Sequence, residues 1–303
     1  MQGGFVFLCQ SYFLQATSAK DQKPSSWNWT TWLQPTFSVD AGHVQHLPAL
    51  VHQNVGSQIV PRIIHQSWRS KKLLHFQREW QKTWLQNHPD WTYMFWTDKD
   101  NRKLVAEHYS WFLDVYDAFP LNIQRADCAR YFYMLQFGGC YFDLDFESLK
   151  GLGPLLEDVH VALAYMTADM SSEISLPNAF LASVPGHDFW WYVIKQVMVA
   201  FASDDVSSSD AHRVTGPIML KQAVARYHSF SPVKELTIFP AATVYGVDFN
   251  WRDQPDKQQI FASCHAASKS FNTTQCKTYF TDSYAITYWS GDLTWMAGQT
   301  RRM

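Results

Sequence analysis

Three observations predict an α/β fold with a mainly parallel sheet and flanking helices. From Val60 onward, short apolar segments alternate with longer helical patterns, as in strand–helix–strand units. A Gly138-Gly139 pair separates the longest of those helical segments from a buried-looking apolar run. The chain has 303 residues, 47% of them hydrophobic, which is enough to bury a substantial core.

In order, Val60–Trp68 reads as the first strand and opens the globular part. Phe76–Asn87 reads as a helix that stops at His88-Pro89-Asp90, because proline disfavours helix in the residue before it. Tyr93–Trp96 reads as a second strand, Lys99–Glu107 as a helix and Ile123–Phe137 as a longer helix. Gly138-Gly139 ends that helix, since glycine readily takes the left-handed conformation of a helix C-terminus. Cys140–Asp143 follows as a buried strand. Further strands are expected at Val161–Met166 and Leu236–Pro240, and further helices at Phe189–Ala202 and Ile218–Tyr227. Residues 20–58 are rich in Pro, Ser, Gln and Trp without a clear period and read as a stem. The expected division is an N-terminal signal or anchor remnant with its stem over 1–58, and one domain over 59–303.

Composition narrows the function classes. Lys plus Arg number 25 against 27 Asp plus Glu, a net charge of −2, so no basic excess supports binding to nucleic acid. Charged residues are only 17%, below the roughly 25% of typical soluble domains. Aromatics fill the gap with 21 Phe, 14 Tyr and 14 Trp, offering ring faces for stacking as well as core volume. No run of 18 or more apolar residues is present, the minimum for a membrane-spanning helix. The first residues resemble a secretory signal in their apolar stretch, but lack a basic start and are interrupted by Gln10 and Ser11. Signal, truncated anchor and ordinary start all stay open. Cys264 and Cys276 bracket a polar loop; a disulfide and two unrelated thiols fit that spacing equally. Glycosylation sequons occur at Asn28-Trp29-Thr30 and Asn272-Thr273-Thr274. Together these hints lead to an expected location in the Golgi or ER lumen, with membrane association through the N-terminal segment.

The strongest chemical signal is Arg125-Ala-Asp127-Cys-Ala-Arg130, continuing to Cys140-Tyr-Phe-Asp143-Leu-Asp145. In an extended segment alternate side chains share a side, so Asp143 and Asp145 are expected to face one spot while Leu144 faces the core. Two carboxylates at the carboxyl end of a parallel strand suit a hard divalent cation that takes oxygen ligands. Coordination positions are left for phosphate oxygens and water, in the crevice where α/β sheets bind ligands. The tripeptide alone is weak, because 27 acidic residues can produce it by accident as a solvated strand end. Asp127 and Arg130 lie three apart on the preceding helix and share a face. Such a pair can hold sugar hydroxyls, the acid accepting and the guanidinium donating. The bland alternative is a surface ion pair that contributes little.

With these residues in place the stretch resembles glycosyltransferase family 32, whose members carry a DXD-containing sugar-binding region. It is most similar to the fungal mannosyl-phosphorylinositol ceramide synthase and initiating α-1,6-mannosyltransferase branch. Upstream, Ile63-Ile-His65-Gln66-Ser-Trp68, His88-Pro-Asp-Trp-Thr-Tyr-Met-Phe-Trp-Thr-Asp98 and Trp111-Phe-Leu-Asp-Val-Tyr-Asp117 follow in family order. Downstream, Asn178–His187 and Thr215-Gly216-Pro217 match more loosely, and similarity is poor beyond about residue 220.

The resemblance implies a GT-A-like nucleotide-sugar-binding fold. It also implies retaining, metal-dependent transfer of a hexose to a glycan or glycolipid hydroxyl, as in glycosphingolipid biosynthesis. By that likeness Asp143 and Asp145 take manganese or magnesium and the donor diphosphate, and Asp127 and Arg130 take the donor sugar. Trp68 falls where the first strand meets the nucleotide, with stacking on the base and a core role as its alternatives. His65 and Gln66 match the same nucleotide-side pattern. GDP-mannose is the donor of the most similar branch, and UDP-sugars serve other relatives. One departure stands out: many members carry a histidine near the C-terminus, where this chain has Thr287, so either Ser290 or Asp292 supplies an oxygen ligand instead, or the third ligand is lost and activity reduced.

Rival readings are weaker. A haloacid-dehalogenase-type phosphatase would use Asp143 as nucleophile and Asp145 as acid/base, but wants Thr or Val where Glu147 stands. Its distal acidic pair would have to be Asp204-Asp205, in a serine-rich loop. A glycosidase needs its two carboxyls about 5 Å or more apart across the scissile bond, which neighbours on one strand end cannot provide. A sugar- or nucleotide-binding relative without turnover remains the non-enzymatic alternative. Glu147 shares side-chain parity with the two aspartates and reads as a surface acid.

Overall fold

The computed structural model describes residues 59–230 and 235–290. The expectations for the 1–58 segment, the Asn28 sequon and Asp292 lie outside the described residues. The chain runs β1 (Ile63–Ser67), α1 (His75–Asn87), β2 (Thr92–Trp96), α2 (Asp98–His108), α3 (Leu113–Ala118), α4 (Asn122–Gln136) and β3 (Gly139–Phe142). Next come β4 (Phe146–Ser148), β5 (Val161–Ala164), β6 (Phe180–Ser183), α5 (Asp188–Ala202), α6 (Ala211–Val214) and α7 (Pro217–Phe230). The last elements are β7 (Leu236–Phe239), α8 (Ala241–Val244), α9 (Gln258–Cys264), α10 (Thr273–Thr278) and β8 (Ala285–Thr287).

Six strands form one sheet in the order β2-β1-β3-β6-β5-β7, and β4 pairs with β8 in a separate two-stranded ribbon. The β1–β2, β1–β3 and β5–β7 pairings are parallel, and only β6 runs against its neighbours β3 and β5. The expected α/β class with a mainly parallel sheet is therefore borne out. The antiparallel β6 was not foreseen, because four buried residues, Phe180-Leu-Ala-Ser183, carry no information on direction. The short β4, β8, α3, α9 and α10 were not foreseen either; segments of three to seven residues are too short to show a period.

Strong local rules explain the elements that were foreseen. Thr97 caps α2 by accepting from the Asp100 amide, and the Asp100 carboxylate returns a bond to the Thr97 amide, a reciprocal capping box. At the end of α4, Gly138 and Gly139 have φ of 62° and 82°. A Cβ on Gly139 would sit 2.6 Å from the Ile63 carbonyl oxygen, so only glycine lets β3 lie this close to β1. The tight turn sends β3 back along α4 and brings the start of that helix to the carboxyl end of the parallel strands.

The core is layered. One cluster joins α2, α4, α5 and α7 on one face of the sheet around Phe112, Phe132, Trp190 and Val193. A second lies on the other face around Trp84, Phe142, Phe146 and Tyr245. A third packs Trp80 against Val247, Cys264, Cys276 and Tyr288. Fully burying each such aromatic contributes on the order of 1.5–3 kcal/mol.

Cys264 and Cys276 are joined in a disulfide with Cα atoms 5.1 Å apart, which closes the alternative of two free thiols. Asn272, inside that loop, is exposed and caps α10. Because the crosslink closes a short loop, replacing both cysteines with serine should cost about 3 kcal/mol. Urea melts check this: an unchanged midpoint would show that the third cluster holds without the crosslink. Among the described residues no helix is long and apolar enough to cross a membrane.

Candidate functional site

The site forms where β1 and β3 end and α4 begins. Asp127 and Arg130 sit on successive turns of α4, a helix buried on nearly every side. They are not a surface ion pair. Their side chains are only 8% and 6% exposed, with Arg130 Nη2 3.2 Å from Asp127 Oδ1. Arg130 Nη1 lies 3.2 Å from Asp143 Oδ1 and donates to the Asn178 carbonyl at 2.7 Å. The guanidinium also lies 4.6 Å above the Tyr141 ring, whose hydroxyl donates to Asp143 Oδ1 at 2.6 Å. One buried cation therefore links the helix pair to the acidic motif.

The two aspartates converge, but not as an extended strand would bring them. β3 ends at Phe142, and residues 143–146 form a turn closed by the Phe146 amide donating to the Asp143 carbonyl. Strand parity is thus the wrong reason for their approach; the turn supplies it. Leu144 is buried as expected. Asp143 keeps 34% of its side chain exposed. Asp145 is fixed from the far end of the chain, its Oδ2 accepting from the Ser290 amide at 3.0 Å. The Asp145 carbonyl accepts from Tyr288 N–H at 3.1 Å.

Electrostatics separate the two acids. Burial, with the neighbouring Asp143 charge added, pushes the Asp145 carboxyl up to about 7. Burial also raises Asp127, against the opposing pull of Arg130. The donor set around the turn is hard oxygen, and among the described residues no cationic side chain acts on Asp145 to balance its charge. This arrangement fits a divalent cation, with phosphate oxygens and water completing its shell. Among the described residues no group of three His, Cys, Asp or Glu forms a complete protein cage. Ser290 reaches the site through its backbone amide, with its hydroxyl 3.5 Å from Asp145, and Thr287 is buried in β8.

His65 and Gln66 do not face a ligand. Both are fully enclosed, which corrects the expectation of nucleotide contact. His65 Nδ1 accepts from Trp96 Nε1 at 3.0 Å, Nε2 faces the Gly138 carbonyl at 2.9 Å, and the ring stacks on Tyr133. Gln66 donates to the Asp143 carbonyl at 3.2 Å and accepts from Tyr93, so it supports the acidic turn from behind. Burial lowers the His65 pKa to about 4. A histidine depressed in the folded state supplies stability above its unfolded value near 6.5 and loses it as pH falls towards 4. That loss is worth up to about 3 kcal/mol. His65→Gln should flatten the difference in unfolding free energy between pH 6.5 and 4. Parallel pH profiles for variant and wild type would refute the assignment.

Trp68 is half-buried at the end of β1, with Arg69 5.7 Å over its ring and its Nε1 buried without a hydrogen-bond partner among the described residues. Glu147 is not a surface acid: it is buried, ion-paired to Lys277 at 2.8 Å and bonded by the Tyr288 hydroxyl. Asp204 and Asp205 are exposed after α5 and line a separate cleft with Gln196, Arg213 and Arg226, which leaves the phosphatase reading without its distal pair. Sequence reading missed the roles of Tyr141, Asn178 and Thr215. Thr215 donates to Asp127 Oδ2 at 3.2 Å, and Asn178 donates to Tyr131, whose hydroxyl bonds the Thr215 carbonyl. Asn178 and Thr215 both fall in segments of looser family likeness, which was the available signal.

Comparison with known proteins finds a matching family model, curated relatives and a solved structure of partial likeness. Residues 75–162 match the family model described as "Glycosyltransferase sugar-binding region containing DXD motif". Inositol phosphoceramide mannosyltransferase 2 of Schizosaccharomyces pombe is 33% identical over 142 residues, 47% of this chain and 39% of that protein. Inositol phosphoceramide mannosyltransferase 3 of the same yeast is 38% identical over 141 residues, 46% of this chain and 38% of that protein. The chain thus spans about two fifths of the length of these curated relatives. Among solved structures, PaToxG Glycosyltransferase aligns with a TM-score of 0.44 and 14% identity, covering 56% of this chain and 69% of that one.

Proposed function

We propose that this chain, which carries the DXD sugar-binding region of glycosyltransferases, moves a mannosyl unit from GDP-mannose to the hydroxyl of an inositol phosphoceramide-type glycolipid. The observation that carries the reading is the buried chain Asp127–Arg130–Asp143, ending beside Asp145 at the open end of the parallel strands. Names of the yeast relatives support the sugar and the acceptor class.

In this reading Asp143 and Asp145 hold manganese or magnesium, which supplies Lewis-acid neutralisation of the diphosphate leaving group. Asp127 accepts from donor-sugar hydroxyls, and its orientation is set by Arg130 and Thr215. Arg130 holds the helix and the acidic turn in register, so the sugar and diphosphate contacts keep a constant separation. Gln66 and Tyr141 fix the Asp143 backbone and carboxylate before any ligand arrives. Retention of configuration is proposed on the family likeness, and a lumenal location is proposed with support from the Cys264–Cys276 disulfide and the exposed Asn272 sequon.

The test is a panel of GDP- and UDP-sugars incubated with the protein and manganese. Metal-dependent release of mannose from GDP-mannose is expected, and turnover confined to UDP-sugars would replace the donor. The departure at Thr287, where the family likeness leads one to expect a histidine, favours one alternative, a nucleotide-sugar-binding relative without turnover. Single turnover with labelled donor separates the two, because a pure binder retains the donor intact.

A further inference from the structure

Tyr245 lies just past α8, a hundred residues from the acidic motif, yet it packs directly behind it. Its side chain is fully buried, and its hydroxyl oxygen lies beside the Phe180 backbone while its proton has no well-formed acceptor among the described residues. The ring is clamped by Phe146 (5.2 Å, edge-on) and Trp289 (6.1 Å, stacked). Those two rings belong to the segments that place Asp145: Phe146 follows it, and Trp289 precedes Ser290, whose amide binds its carboxylate. The Tyr245 carbonyl accepts from Thr287 N–H at 3.1 Å, tying the same residue to β8. Among charged groups Asp143 acts most strongly on the phenol, followed by Arg130 and Asp145.

A buried hydroxyl whose proton has no acceptor is rare in native proteins, and such exceptions concentrate at working sites. Phenylalanine would fill the same space and leave no polar atom unsatisfied. Asp143 uses one carboxylate oxygen for both Tyr141 and Arg130, so its other oxygen has acceptor capacity to spare. We propose that Tyr245 is a positioning residue whose hydroxyl donates to the Asp143 carboxylate when the donor diphosphate occupies the site, fixing that carboxylate towards the ligand. This rests on the glycosyltransferase reading and extends it to a residue in the poorly matching C-terminal part of the chain.

Tyr245→Phe tests it, because the ring packing is kept and only the hydroxyl goes. The variant without ligand should melt at or above wild type, since an unsatisfied polar atom has been removed. Affinity for GDP in the presence of manganese should fall about tenfold to a hundredfold, the loss expected for one hydrogen bond to a charged group. Affinity for GDP without manganese should stay within about twofold, because Asp143 then has no charge-bearing complex to orient. A purely structural Tyr245 would change melting and leave the manganese-dependent gain in GDP affinity intact, and that result overturns the proposal. If wild type itself shows no manganese-dependent GDP binding, the glycosyltransferase reading fails and Tyr245 loses its role with it.

Discussion

Asp145→Asn should cut manganese-dependent nucleotide-sugar turnover by a factor on the order of 10²–10³ while leaving the protein as stable as before, or more so. The asparagine oxygen can still accept from the Ser290 amide at the same position, so the fixed end of the turn is preserved. What disappears is a formal charge crowded against Asp143 by burial. Without ligand that charge is a liability, and its removal relieves repulsion between the two carboxylates. With ligand it is an asset, and losing one preorganised electrostatic partner of the reacting diphosphate costs on the order of 10²–10³ in rate. The signature is a pair of melts: wild type gains stability with manganese and GDP, as binding to the native state requires, and the variant gains none. A variant stabilised by manganese and GDP as strongly as wild type would remove Asp145 from the metal site.

The second large effect is structural. Arg130→Met should destabilise the domain by about 3–5 kcal/mol, because it leaves Asp127 and Asp143 facing each other with no cation between them. At about 2–4 °C per kcal/mol for a domain of this size, the melting temperature should fall by roughly 6–20 °C. Arg130→Lys should not rescue it. One ammonium cannot reach Asp127, Asp143 and the Asn178 carbonyl with the fixed fork of a guanidinium. The double variant Arg130→Met with Asp127→Asn should recover part of the loss by removing one stranded carboxylate. Melting temperatures within 2 °C of wild type for Arg130→Met would show that water reaches the array and screens it.

Which residues would meet was partly legible along the chain. Asp127 and Arg130 share a helix face by the 3.6-residue period, and Asp143 and Asp145 lie within three residues, so proximity within each pair required no tertiary information. The helix–Gly-Gly–strand junction was equally local, because positive φ favours glycine. The alternation of strand and helix followed from hydrophobic pattern alone, and with it the α/β class.

Three features were decided only by packing across the fold. The Asp127–Arg130 pair became a buried bridge because Thr215, the Asn178 segment and the end of β3 close over it, and no sequence period shows which helix face a distant element will cover. His65 and Gln66 turned inward because Trp96, Tyr133 and Tyr93 arrive from β2 and α4 to take up their polar atoms. Tyr245 and Ser290 reached the acidic turn through the pairing of β4 with β8, two three-residue strands about 140 residues apart. Local patterns record the geometry of one element. The environment of a buried polar group depends on whichever distant atoms satisfy it, and those are set when the layers close.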